Sequence, residues 1–183
     1  MTKPRIAVIG TGGTIASIGK GPLDLLDYGA NETMLHVDEI IARFPEVHDV
    51  ADILPIRFEA IPSPNVFFPE WKALVLQIET LAQEHQDLAG IVVTHGTASL
   101  EETAYFLNLT LHVDVPVVVV GSQRPASALS TDAGMNLVNA VRTAAAPDSR
   151  GLGVLVLLND EIHAAREVTK TSTYRLQTFR SRD

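Results

Sequence analysis

The chain has 183 residues, 46% hydrophobic and 20% charged, a size and balance that fit one globular domain with a sizeable core and argue against disorder. A formal net charge of -8 disfavours a nucleic-acid backbone as partner, and the absence of cysteine removes disulfides, thiol nucleophiles and thiolate metal sites. No run approaches the ~18 to 20 apolar residues of a membrane span, and Ile6 to Ile9 is too short for a signal-peptide core, so a cytoplasmic protein without membrane contact is expected.

In chain order, Ile6 to Ile9 reads as a buried strand and runs into the polar cluster Thr11-Gly12-Gly13-Thr14. The stretch 17–35 has no periodicity but contains Gly19, Gly21, Pro22 and Gly29; a loop of that length is expected to be a mobile lid. Helical spacing over Val37 to Phe44 precedes a weaker strand at Ile53 to Ile61, where Pro55 implies an edge position or a late start. Trp71, Leu74, Ile78 and Leu81 predict a helix, Gly90 to Val93 a second buried strand, and Thr94-His95-Gly96-Thr97 a second polar cluster.

Ser99 and Glu102 fit a capping box for a helix over Leu100 to Leu109. Val115 to Val120 reads as a strand ending in Gly121-Ser122-Gln123-Arg124, Met135 to Val141 as a helix, and Val154 to Leu158 as a strand. Asp160, Glu161 and Arg166 are expected to form an ion-pair cluster, Glu167 to Thr171 a short strand-like run carrying Lys170, and Arg175, Arg180 and Arg182 beside Asp183 a solvated tail. Strand alternating with helix predicts an α/β fold: an open, mainly parallel sheet with helices on both faces. Its ligand crevice then lies along the loops that leave the carboxyl ends of the strands.

The polar clusters admit both chemical and plain readings. A threonine at a glycine turn could attack a carbonyl, or simply end a strand-to-helix turn. A dinucleotide fingerprint begins at Gly10-Thr11-Gly12 but has Ile15 where its third glycine belongs. His95 is either a base or a histidine bridging backbone groups. Lys170 is either solvated or, in a partly dry site beside a hydroxyl, lowered in pKa and able to take its proton. The histidines show no metal-ligand spacing, so neither metal nor cofactor is expected. Gln123-Arg124-Pro125 and Asn136 read equally well as loop and helix-start residues.

As an ordered set, Thr11-Gly-Gly-Thr-Ile-Ala16, Thr94-His-Gly-Thr97 with Leu100-Glu-Glu-Thr-Ala-Tyr-Phe-Leu107, Arg124-Pro125, Asn136-Leu137, Asn159-Asp-Glu-Ile162 and Val168-Thr-Lys-Thr171 resemble the bacterial-type L-asparaginase and glutaminase-asparaginase family. The resemblance spans essentially the whole chain. It implies the family's Rossmann-like N-terminal catalytic domain over 1–183, and hydrolysis of asparagine to aspartate and ammonia without a cofactor. It also implies Thr14 as nucleophile, Tyr28 as its activator, and Thr97 with Lys170 as an assisting pair. Gly13, Ser63, Pro64, Gly96, Ala98 and Ser122 are the substrate-binding positions it suggests, and a homo-oligomer is the expected assembly.

Two departures qualify what the resemblance implies. The family has aspartate where this chain has Ala98, and Pro64-Asn65 replaces residues that help hold the amino acid. A substrate amide without an α-ammonium, or a weakly active or inactive binding module, is the alternative expectation. Family members also continue into a smaller C-terminal domain, whereas this sequence ends at Asp183, so a short member or a catalytic-domain fragment is expected.

Overall fold

In the computed structural model, which describes residues 2–31 and 33–181, six strands form one sheet in the order β2-β1-β3-β4-β5-β6. These are β1 (Arg5–Gly10), β2 (Asp52–Arg57), β3 (Leu88–Thr94), β4 (Val117–Val120), β5 (Val154–Leu158) and β6 (Glu161–Ala164). The first five run parallel and β6 turns back antiparallel on β5. The weaker strand predicted from Ile53 does lie at the edge. Pro55 pairs in register with Val8 there, where a residue without an N–H leaves no inner ladder bond unmade.

Alternate residues of each strand feed opposite cores, as the pleat requires. Ala7, Ile9, Ile91, Val93, Val117 and Val119 face α3 (Phe68–Glu84) and α4 (Leu100–Thr110) through Leu74, Ile78, Ala104 and Leu107. Ile6, Val8, Val92, Val118 and Val120 face the other way. They meet α1 (Val37–Arg43), α2 (Val47–Val50) and α5 (Ala133–Ala145) through Ile40, Val47, Leu137 and Val141. Being covered on both faces is why the strands read as unbroken valine and isoleucine runs.

The topology places the site. After β1 the chain moves to one side for β2, then returns to β1's other side for β3 and continues outward. The β1 and β3 loops therefore part company over the carboxyl ends of neighbouring strands, where Gly10 pairs with Thr94. Thr11-to-Thr14 and His95-to-Thr97 are those two loops.

Several local expectations give way. The Ser99 hydroxyl caps nothing, because it donates to the Ser63 carbonyl at 2.6 Å, and Glu102 is exposed. The carboxylates of Glu39 and Glu70 instead accept the N–H groups of His36 and Phe67 at the starts of α1 and α3. Asp160, Glu161 and Arg166 form no cluster: Asp160 accepts from Asn139, Glu161 meets His163, and Arg166 pairs with Glu167. The expected tail is partly strand, for β7 (Val168–Lys170) and β8 (Phe179–Ser181) form an antiparallel hairpin with the buried Phe179 in the α3/α4 core. Arg180 lies in that hairpin, whereas Arg182 and Asp183 of the tail fall outside the described residues.

Candidate active site

Two glycines set the geometry of the site. Gly13 has φ 82°, and a Cβ there would sit 2.2 Å from the Gly96 Cα, so the β1 and β3 loops touch backbone to backbone. A Cβ on Gly96 would in turn meet the Ser63 Oγ at 2.5 Å. Only glycine at both positions allows the three loops to converge. Immediately past Gly13, Thr14 opens a short 3-10 turn (Thr14–Ala16), and its Oγ1 shares a hydrogen bond with the Tyr28 Oη at 3.0 Å.

Tyr28 belongs to the stretch expected to be a lid. Its base is zipped by a bridge between Ser17 and Met34, by the Ile18 N–H to the Thr33 carbonyl, and by the Leu35 N–H to the Ala16 carbonyl. The Leu129 N–H also donates to the Pro22 carbonyl at 2.7 Å, tying the loop to the segment before α5.

The second hydroxyl has a fuller set of partners. The Lys170 Nζ donates to the Thr97 Oγ1 at 2.8 Å, and the Thr97 hydroxyl donates to the Gln123 Oε1 at 3.2 Å. The other end of that amide is fixed by a bond from Nε2 to the Arg175 carbonyl at 3.0 Å. Burial lowers the Lys170 pKa from its ordinary value, while the Glu101 carboxylate acts in the opposite sense. Thr97 and Ser63 are both buried, and the Ser63 Oγ accepts the Ala98 N–H at 3.2 Å.

His95 stands outside this arrangement. Its Nδ1–H donates to the Gly96 carbonyl at 2.8 Å, and its Nε2 accepts from the Thr103 hydroxyl at 3.0 Å. Thr103 itself accepts from the Trp71 Nε1–H at 2.8 Å. A carbonyl can only accept, so the Nδ1 position carries a proton, and with the ring neutral Nε2 is the acceptor for the Thr103 hydroxyl. Complete burial pushes its pKa down to about 4. Of the two readings open from sequence, the structure favours the histidine that bridges internal groups.

Thr14, Tyr28, Thr97 and Lys170 line one cavity of about 670 Å³ together with Gly13, Ser63, Pro64 and Ala98. Gly96 sits behind them, packed on Gly13. Ser122 is not brought there: it is fully buried, with its hydroxyl donating to the Arg124 carbonyl at 2.6 Å, and the next residue, Gln123, lines the cavity instead. Arg124 and Asn136 serve the scaffold through Ser130, Gly121 and Asp132. Leu25, Leu26, Thr173 and Tyr174 are among the further lining residues that were unforeseen, and only their nearness to Tyr28 and Lys170 in the chain hinted at it.

Among the described residues the lining holds one cation, Lys170, and no carboxylate. No group of three or more metal-binding side chains occurs among them, and no helix is long and apolar enough to cross a membrane.

The family model described as asparaginase, N-terminal, matches residues 5–183. The chain belongs to the asparaginase family. It is 44% identical over 180 residues to L-asparaginase 2 of Bacillus subtilis, covering 98% of this chain and 47% of that protein. Its identity to the glutaminase-asparaginase of Acinetobacter glutaminasificans is 41%, over 92% of this chain and 50% of that protein. A crystal structure of a probable cytoplasmic L-asparaginase from Campylobacter jejuni superposes with a TM-score of 0.90 at 40% identity, over 98% of this chain and 53% of that one. This asparaginase-family chain thus spans about half the length of the relatives it matches.

Proposed function

We propose that the chain is the catalytic part of an amidohydrolase that converts L-asparagine to L-aspartate and ammonia. The observation that carries the reading is the convergence of two threonine hydroxyls on one cavity, each with a titratable partner: Thr14 with Tyr28, and Thr97 with Lys170. The Thr14 Oγ1 attacks the side-chain amide carbon as its proton passes to the Tyr28 oxygen, which gives up its own proton towards the leaving nitrogen. The C–N bond breaks, and nitrogen leaves as ammonia after gaining a proton. Water then hydrolyses the ester and restores the Thr14 hydroxyl, with Thr97 and Lys170 ordering that proton traffic. Backbone N–H groups at Thr14 and Thr97 receive the developing oxyanion.

A second reading is favoured by the lining itself. With Ala98 on the wall and no acidic side chain among the described lining residues, an amide without an α-ammonium fits the charge balance better than a zwitterion does. Ammonia release from L-asparagine, beside a panel of amides without an α-amino group and a Thr14→Ala variant, separates the possibilities. Turnover of asparagine that disappears with Thr14→Ala supports the first reading, and turnover of the panel alone supports the second. Silence on both would leave a binding module. Ala98→Asp is expected to raise activity on asparagine if the ammonium is now poorly held.

The chain is expected to self-associate. Phe67, Phe68, Leu76, Tyr105 and Leu109 expose apolar side chains at the start of α3 and along α3 and α4. Sedimentation at rising concentration should show association, and a persistent monomer would count against it. A cytoplasmic setting fits the name of the Campylobacter neighbour, with which the chain shares its fold.

A further inference from the structure

Lys170 donates into the cavity wall at Thr97, yet the described lining holds no anion to balance it. The balancing charge lies behind the lysine. Glu101, half-buried in the first turn of α4, accepts the Thr169 hydroxyl on Oε1 at 3.0 Å and the Lys170 backbone N–H on Oε2. Both carboxylate oxygens are thus spent on two consecutive residues of β7.

We infer that Glu101 is a positioning residue. Its carboxylate clamps β7 onto the start of α4, so that the Lys170 ammonium reaches the Thr97 hydroxyl and keeps a countercharge outside the substrate space. Thr97 lies four residues before Glu101, in the turn that leads into α4, so the helix start carries the anchor and the turn feeding it carries the hydroxyl. β7 is only three residues long and, among the described residues, its strand partner is β8, so the Glu101 carboxylate adds a further tie at Thr169 and Lys170 beyond the burial of Val168. The electrostatic effect of Glu101 on the lysine agrees in sign.

The inference rests on the amide-hydrolysis reading for its kinetic consequence but not for its physical one, and the test separates the two. The chain has four lysines, Lys3, Lys20, Lys72 and Lys170, so side-chain ¹⁵N spectra of lysine-labelled protein give few signals, and Lys170→Met assigns the one that matters. In E101Q the amide oxygen can still accept the Lys170 N–H while its NH₂ donates to Thr169, so the clamp survives without its charge.

The Lys170 titration midpoint should fall in E101Q by about one pH unit, and the alkaline onset of ammonia release should move with it. T169V keeps the charge but loses one anchor. Its midpoint should stay near that of the parent while kcat drops, with KM changed less. An E101Q midpoint and pH profile superimposable on the parent's would overturn the inference. Should E101Q not fold, E101D gives the same comparison: the retracted carboxylate should lower kcat, and an unchanged kcat and midpoint would count against the clamp. A parent chain that releases no ammonia would sink the hydrolysis reading alone, since the lysine titration still decides the role of Glu101.

Discussion

Gly13 and Gly96 bring two strand ends close enough for a hydroxyl from each to share a cavity, and this contact is where single substitutions act most sharply. Gly13→Ala combines a φ of 82° with a clash against the Gly96 backbone, and should cost about 2 kcal/mol or more. Gly21→Ala, with open space around it, should be neutral within about 0.5 kcal/mol. Chemical denaturation of the two variants beside the parent checks both, and equal losses would show that the loop contact is not constraining. Thr97→Val should lower turnover by about 10²-fold or more if the hydroxyl guides protons. At this scale the position of the two threonines and the lysine just past strand-like runs was legible from residue type and order, whereas the contact of Gly13 with Gly96 was not, because it depends on how two loops meet. Ser122 was not, for the direction of a side chain in an irregular loop follows no period; the longer Gln123 reaches the cavity while the serine turns onto its own loop.

Elements couple through the path from Trp71 on α3 to Thr103 on α4, to His95 past β3, and to the Gly96 carbonyl behind the site. Its neutral imidazole makes stability depend on pH. The folded pKa of about 4 lies below the ordinary 6.5, so the unfolded chain binds the proton more readily between these values. The contribution is therefore full above pH 6.5, on the order of 3 kcal/mol, and is lost as pH falls towards 4. His95→Gln should be less stable than the parent at pH 7 but lose less on acidification to pH 4.5. Parallel losses in parent and variant would contradict this. The buried strands and long helices were readable from periodicity because two-sided burial leaves little choice of residue. β7 was readable within the strand-like run Glu167 to Thr171, but its partner β8 was not, since it is only three residues long and its Arg180 read as part of a solvated tail. The Ser99 cap also failed for a tertiary reason: the Ser63 carbonyl from another loop takes the hydroxyl.

For the whole molecule, the position of the cavity follows from strand order. The chain reverses direction across the sheet between β1 and β3, and the loops from that point, joined by Ser63 after β2, Gln123 after β4 and the Lys170 hairpin, surround one cavity. Matching half the length of its relatives, the chain nevertheless holds both hydroxyls and both titratable partners within its own fold. The proposed reaction requires that Thr14 carry a covalent ester during turnover. Acid-quenching the protein with L-asparagine in the first turnovers, followed by mass spectrometry of its peptides, tests this directly. An aspartyl adduct on the peptide carrying Thr14, absent from Thr14→Ala, is the predicted result; turnover with the adduct on Thr97 instead would contradict the account.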